Sequence, residues 1–248
     1  MGCNSSSQRI AATEEKISYI DGKENPTKLS ADLSPRQAKK ILNGKSSLIR
    51  LDHCPEPRKL SIKGKAYNFT LQYCYVSQRG YYPTSLGKAN QDSYLVCEAL
   101  LGDSSCNFFG IFDGHGEYGD LVSHYVAEHL SDVLIDELNN NGGMSCLDGP
   151  NMTDIVSKVH VLCNRGLEKS SIDESLSGTT SISIIQKGDK LIVSNVGDSR
   201  AIIATEKDGK LLFSPLSSDQ TPYRKDERER LKKAVSFTIS FLASVLLI

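Results

Sequence analysis

A short apolar run at residues 107–112 ends in Asp113-Gly114-His115-Gly116, and a long apolar repeat of helical spacing follows at once. Leu121, Val122, Tyr125, Val126, His129, Leu130, Val133, Leu134 and Leu138 recur on one side of a helix. The spacing predicts a helix over 119–139, ended by Asn141-Gly142-Gly143. A chain that buries both the run and the stripe needs a strand laid against a helix, with Asp113 delivered to the strand's end and the glycines forming a turn.

The rest of the middle fits that plan. Residues 69–77 and 93–100 read as strands rich in Tyr, Val and Leu. A second helix over 153–169, with Thr153 as its N-cap, buries Ile155, Val156, Val159, Leu162, Cys163 and Leu167. Ser177-Gly178-Thr179-Thr180 opens a strand at 181–186, and Lys187-Gly188-Asp189 turns it back along 191–195. Gly197-Asp198-Ser199-Arg200 interrupts the chain before a strand at 201–205, Asp208-Gly209 turns that into 211–215, and 224–233 reads as helix. Strands, two long helices and then a meander of strands predict an α+β fold, antiparallel sheets flanked by helices.

Composition narrows the function. With 39% hydrophobic residues in 248, a packed core is available without disulfides. A net charge of −1, no Trp and 7% aromatics leave neither an electrostatic footprint nor a stacking platform for nucleic acid, so no nucleic-acid partner is expected. The seven cysteines, at 3, 54, 74, 97, 106, 146 and 163, include no CxxC pair. That speaks against a disulfide framework or a zinc site and for a reducing compartment.

The two ends differ from the middle. Met1-Gly2-Cys3-Asn4-Ser5-Ser6 fits N-myristoylation at Gly2, with Cys3 placed for a second acyl chain. One myristoyl chain holds a protein only marginally, whereas two anchor it stably. Residues 1–65 read as a disordered, acylated, basic arm, apart from a short helix at 34–43. Its nine Lys/Arg between Arg36 and Lys65, against Asp52 and Glu56, either lie on anionic lipid or form a solvated charge run. Residues 234–248 carry no charge, and as a helix they would rise only about 22 Å against a hydrocarbon core of about 30 Å. A strand joining the sheet, a short tail anchor and a sequence replacing a natural continuation all compete there, the last being preferred.

Asn90-Gln91-Asp92-Ser93 heads one strand and Asp113-Gly114-His115-Gly116 ends another. Mg2+ and Mn2+ favour carboxylates, backbone carbonyls and waters, which an aspartate on a glycine-flanked bend can offer. His115 adds a titratable group suited to passing a proton to a leaving group. The stretch after Asp113 lacks Asp or Asn at the third position and Gly at the sixth, so it is not an EF-hand. Ser177-Gly178-Thr179-Thr180 and Gly197-Asp198-Ser199-Arg200 read as structural, with Arg200 pairing with Asp198 or a neighbouring carboxylate.

In this order NQDSYLV, FFGIFDGHGEYGD, SGTTSISII and LIVSNVGDSRAIIA resemble the metal-dependent type 2C protein serine/threonine phosphatases, over residues 71–230. SQRGYYPTSLGKANQD and LSSDQTPYRKDERERLKK resemble more narrowly the plant forms fused to cyclic-nucleotide-binding and kinase domains. The resemblance implies a partial α-β-β-α sandwich over 66–233 and phosphoprotein substrates, hydrolysed by water shared between two Mg2+ or Mn2+ ions. It implies Asp113 and the Gly114 carbonyl as metal ligands, Asp92 holding metal-bound waters, His115 as general acid, and Arg79 or Lys88 gripping phosphate.

The family adds two further aspartates, in an Asp-Gly and an Asp-Asn motif past the Asp-Glu-Arg helix; no Asp-Asn pair occurs in this chain. A C-terminally truncated, impaired phosphatase on the cytoplasmic face of a membrane is therefore expected. A catalytically inactive, membrane-tethered binding or regulatory fragment is the alternative.

Overall fold

The structure is a computed structural model that describes residues 52–234 apart from 55 and 86. Gly2, Cys3, the expected helix at 34–43 and the uncharged tail from 235 on lie outside the described residues.

Among the described residues the strands are β1 Asp52–His53, β2 Arg58–Lys63, β3 Asn68–Tyr73, β4 Val76–Ser77, β5 Asp92–Cys97 and β6 Cys106–His115. After helices α1 Gly119–Asn140 and α2 Met152–Glu168 come β7 Gly178–Thr179, β8 Ser181–Lys187 and β9 Lys190–Val196. A hairpin of β10 Ile202–Lys207 and β11 Lys210–Pro215 precedes helix α3 Lys225–Ala234. The central sheet runs β5-β6-β8-β9, all antiparallel, with β7 paired to the far end of β6.

Side-chain alternation along β6 decides which layer covers which face. Phe108 and Phe112 point to the side covered by α1 and α2 and are buried, in one cluster with Leu130, Leu134 and Val159. On α1, Val122, Val126, Leu130, Leu134 and Leu138 stand four apart and all are buried. Each fully buried side chain of this kind contributes about 1.5–3 kcal/mol, so this stripe rather than capping holds α1, whose N-cap Tyr118 makes no side-chain cap bond. The opposite face meets the β2–β3 hairpin. There Tyr73 packs on Phe109 with ring centres 5.1 Å apart, and Arg58 and Tyr73 both bond Glu98. The layers are helices, sheet and hairpin, the expected α+β arrangement.

Several features depart from the sequence reading. The end of the expected arm is strand: Ile62 is buried opposite Phe69, and Leu60 faces Leu71, an alternation the surrounding charges obscure. At the far end of β6 the strand runs through Asp113 and Gly114 to His115, because β7 supplies ladder partners Thr179 and Gly178; the chain turns only at Gly116, with φ +85°. Asn151, not Thr153, precedes α2, and it makes no side-chain cap bond. Of the two alternatives left open for Arg200, Asp198 or another nearby carboxylate, the second holds: it pairs with Asp219 through two bonds of 2.9 and 2.5 Å.

His160 joins α2 to the sheet. Its Nδ1–H donates to the Val156 carbonyl at 2.9 Å, which leaves Nε2 to accept from the Ser181 hydroxyl at 3.2 Å. Burial pushes this imidazole below its ordinary value of 6.5. The unfolded chain therefore takes up a proton that the folded ring refuses, so stability falls as pH drops through 6.5 and is level above it. His160 lines a cavity it shares with His115, Glu174 and Cys163. Comparing urea midpoints at about pH 7.5 and 5.5 is expected to show this loss. It should be smaller in His160→Gln, and an equal loss in the variant would remove His160 from the account.

Candidate metal and phosphate site

The two carboxylates singled out from the sequence meet. In the β5–β6 ladder Asp92 lies directly opposite Asp113, and both are exposed on the face away from the helices. Residues so placed have Cβ atoms about 4.5–5.5 Å apart. Partial withdrawal from water, and then the adjacent Asp113 charge and hydrogen bonding, push the Asp92 carboxyl above its ordinary range. Two anions facing each other on a strand pair are unfavourable unless a cation lies between them.

Backbone packing around the pair is tight. A Cβ on Gly114 would lie 2.1 Å from the Gly119 carbonyl oxygen and 2.6 Å from that of Gln91, so only glycine fits where β5, β6 and the start of α1 converge. The Gly114 N–H donates to the Gln91 carbonyl at 3.0 Å, and the buried Ser123 hydroxyl donates to the same carbonyl at 2.6 Å. The Gln91 amide donates to the Gly116 carbonyl at 2.7 Å. Asn90 accepts the Asp92 N–H at 3.3 Å and donates to Ser77 at 2.8 Å. The residue before Asp92 is thus bonded to the segment after Asp113.

A third segment closes the arrangement. Asp113 N–H donates to the Thr180 hydroxyl at 3.0 Å, Thr180 N–H to the Asp113 carbonyl at 2.9 Å, and Tyr118 N–H to the Ser177 hydroxyl at 2.9 Å. His115 stands opposite Gly178 in the ladder, with its ring against that glycine, and borders an open cleft of about 320 Å³ lined also by α1, α2 and the sheet. Arg79 donates to the Lys88 carbonyl at 2.9 Å, and the Lys88 ammonium sits 4.2 Å above the Tyr82 ring. The structure joins these two basic residues to each other within the loop after β4.

Gln91, Ser177 and Thr180 escaped the sequence reading as site residues. Ser177 and Thr180 stood in a motif taken as packing, and their only signal was a pair of hydroxyls beside a glycine at a strand start. Among the described residues, no three His, Cys, Asp or Glu side chains gather as a metal cluster, so the anionic donors here are the two carboxylates.

The sequence profile of the protein phosphatase 2C family matches residues 86–243. A probable protein phosphatase 2C 35 of Arabidopsis thaliana is 39% identical over 199 residues, 80% of this chain and 52% of that protein. Protein phosphatase 1L of Bos taurus is 33% identical over 160 residues, 62% of this chain and 41% of the other. The chain thus spans about half the length of the curated relatives it matches. A solved serine-threonine phosphatase 2C from Toxoplasma gondii aligns over 75% of this chain and 59% of its own, at 18% identity and a TM-score of 0.45, too faint a likeness to add weight.

Proposed function

The chain belongs to the protein phosphatase 2C family, and from that premise we propose that it serves the hydrolysis of phosphoserine and phosphothreonine esters with Mg2+ or Mn2+. The observation that carries the reading is the β5–β6 register, which sets Asp92 opposite Asp113.

The donor set fits a hard divalent ion: two carboxylates face each other, with a glycine-lined backbone beside them and no sulfur or imidazole between. Asp113 and Asp92 would hold the ion, with the Gly114 carbonyl as a third oxygen. Bound there, Mg2+ or Mn2+ supplies polarisation of the phosphate and a lowered pKa for coordinated water.

The chain's own residues do the remaining work. Asp113 is fixed from both sides, by β5 through the ladder and by Thr180 through its backbone and hydroxyl. Rigid placement of this kind lowers the barrier because little is left to reorganise during reaction. His115, two residues further along β6 and exposed, is the group to hand a proton to the departing serine or threonine oxygen. Arg79 and Lys88 are the candidate cations to bind the phosphate oxygens. Substrate would approach the end of β6, where both carboxylates and His115 are exposed.

The test is release of phosphate from a phosphothreonine peptide by the purified chain in Mn2+. Turnover that chelator removes and Asp113→Ala abolishes is the expected result. Mn2+ binding without turnover would favour the non-catalytic alternative, a fragment that binds but does not hydrolyse. Turnover untouched by Asp113→Ala would remove the carboxylate pair from the reaction.

A further inference from the structure

The ladder around Asp113 contains an irregularity with a specific cause. Residues of β6 pair in register on both sides of it, Ile111 with Ile182 and Gly114 with Thr179, which leaves Asp113 opposite Thr180. In an antiparallel pair, two facing hydrogen-bonded residues exchange both N–H···O=C bonds. Here half of that exchange is made, Thr180 N–H to the Asp113 carbonyl at 2.9 Å. The other half is replaced: Asp113 N–H donates to the Thr180 side-chain hydroxyl at 3.0 Å, while the Thr180 carbonyl accepts from the Thr179 hydroxyl at 3.0 Å. A side chain has taken the place of a backbone carbonyl at the residue that carries the carboxylate.

We propose that Thr180 is a positioning residue, whose hydroxyl holds the β6 backbone open at Asp113 and so sets the direction in which the Asp113 carboxylate is presented to a divalent cation. The inference rests on the phosphatase reading of Asp92 and Asp113 and adds to it a residue from the opposite strand. Ser199 completes the arrangement. Its hydroxyl lies 2.6 Å from that of Thr180, so the two hydroxyls share a hydrogen bond whichever of them donates, and the Thr180 hydroxyl is held in place on its outer side. The two motifs that look like packing in the sequence thus meet at this hydroxyl, one motif bonding Asp113 directly and the other supporting the bond. Residues that orient metal ligands through such bonds commonly change metal affinity 10- to 100-fold when removed.

The experiment compares Mn2+ affinity by calorimetry in the full chain and in Thr180→Val, Thr180→Ser, Ser199→Ala and Asp113→Asn. Denaturation midpoints are measured on the same samples, and the Asp113 amide resonance is followed without metal. Thr180→Val keeps the shape and loses the hydroxyl; its affinity is expected to fall about tenfold and its amide resonance to move. Thr180→Ser is expected to restore both, and Ser199→Ala to weaken binding by a smaller factor, which keeps the test open if the valine variant fails to fold. Unchanged affinity in both Thr180→Val and Ser199→Ala, or a serine variant as weak as the valine one, overturns the role of Thr180. Wild-type affinity in Asp113→Asn would instead overturn the reading of the carboxylates.

Discussion

Asp113→Asn is expected to change stability in opposite directions with and without metal. In metal-free protein the substitution removes one of two anions that face each other across β5 and β6. Like charges so placed destabilise, and their loss is worth ~0.2–1 kcal/mol to the folded state. With Mn2+ at about a hundred times its dissociation constant, a site adds ~2.7 kcal/mol of stability, and the variant should forgo nearly all of it. Urea unfolding with and without Mn2+ therefore gives two pairs of curves whose order inverts. Burial, and after it the proximity of Asp113, raises the Asp92 carboxyl, and the second of these points the same way. Equal Mn2+ stabilisation of both proteins would show that the ion binds elsewhere.

Phe112→Ala carries the largest expected cost in stability. The ring is fully buried between the sheet and the helices, one residue before Asp113, and it packs back over Gly110, where a Cβ would come within 2.7 Å of it. Removing a buried phenylalanine costs about 3–5 kcal/mol, a large share of the ~5–15 kcal/mol that holds a typical domain together. A urea titration should show the midpoint falling accordingly, while Ile111→Ala, a neighbour half exposed on the other face, should cost much less. Similar losses for the two would mean that the helix face of β6 is not where the core lies.

Local pattern made the elements legible, and partners distant in sequence hid the site's construction. The stripe from Val122 to Leu138 announced α1 because its residues are neighbours along one helix. The family resemblance put Asp92 and Asp113 in one site, and the β5–β6 register sets them opposite each other. What could not be read was which backbone group a side chain would reach. Asp113 and Thr180 stand 67 residues apart, and no periodicity reports that a hydroxyl will take a carbonyl's place. Arg200 found Asp219, 19 residues on, instead of the nearer Asp198, because β10 and β11 fold the chain back between them. The strand at Arg58–Lys63 was missed for a different reason. Its charged residues dominate the local composition, while the two that matter, Leu60 and Ile62, show their role only against Leu71 and Phe69.

The ribbon formed by β10 and β11 has one further geometric consequence. Leu211, Leu212 and Phe213 follow one another along the chain and are 60, 54 and 63% exposed. Successive strand residues point to opposite sides, so Leu212 faces away from its two neighbours and both surfaces of the ribbon are greasy. A flat object laid on either side would leave the other wet. Keeping all three dry takes something that grips the ribbon from above and below at once, and a single adjoining sheet cannot do that alone.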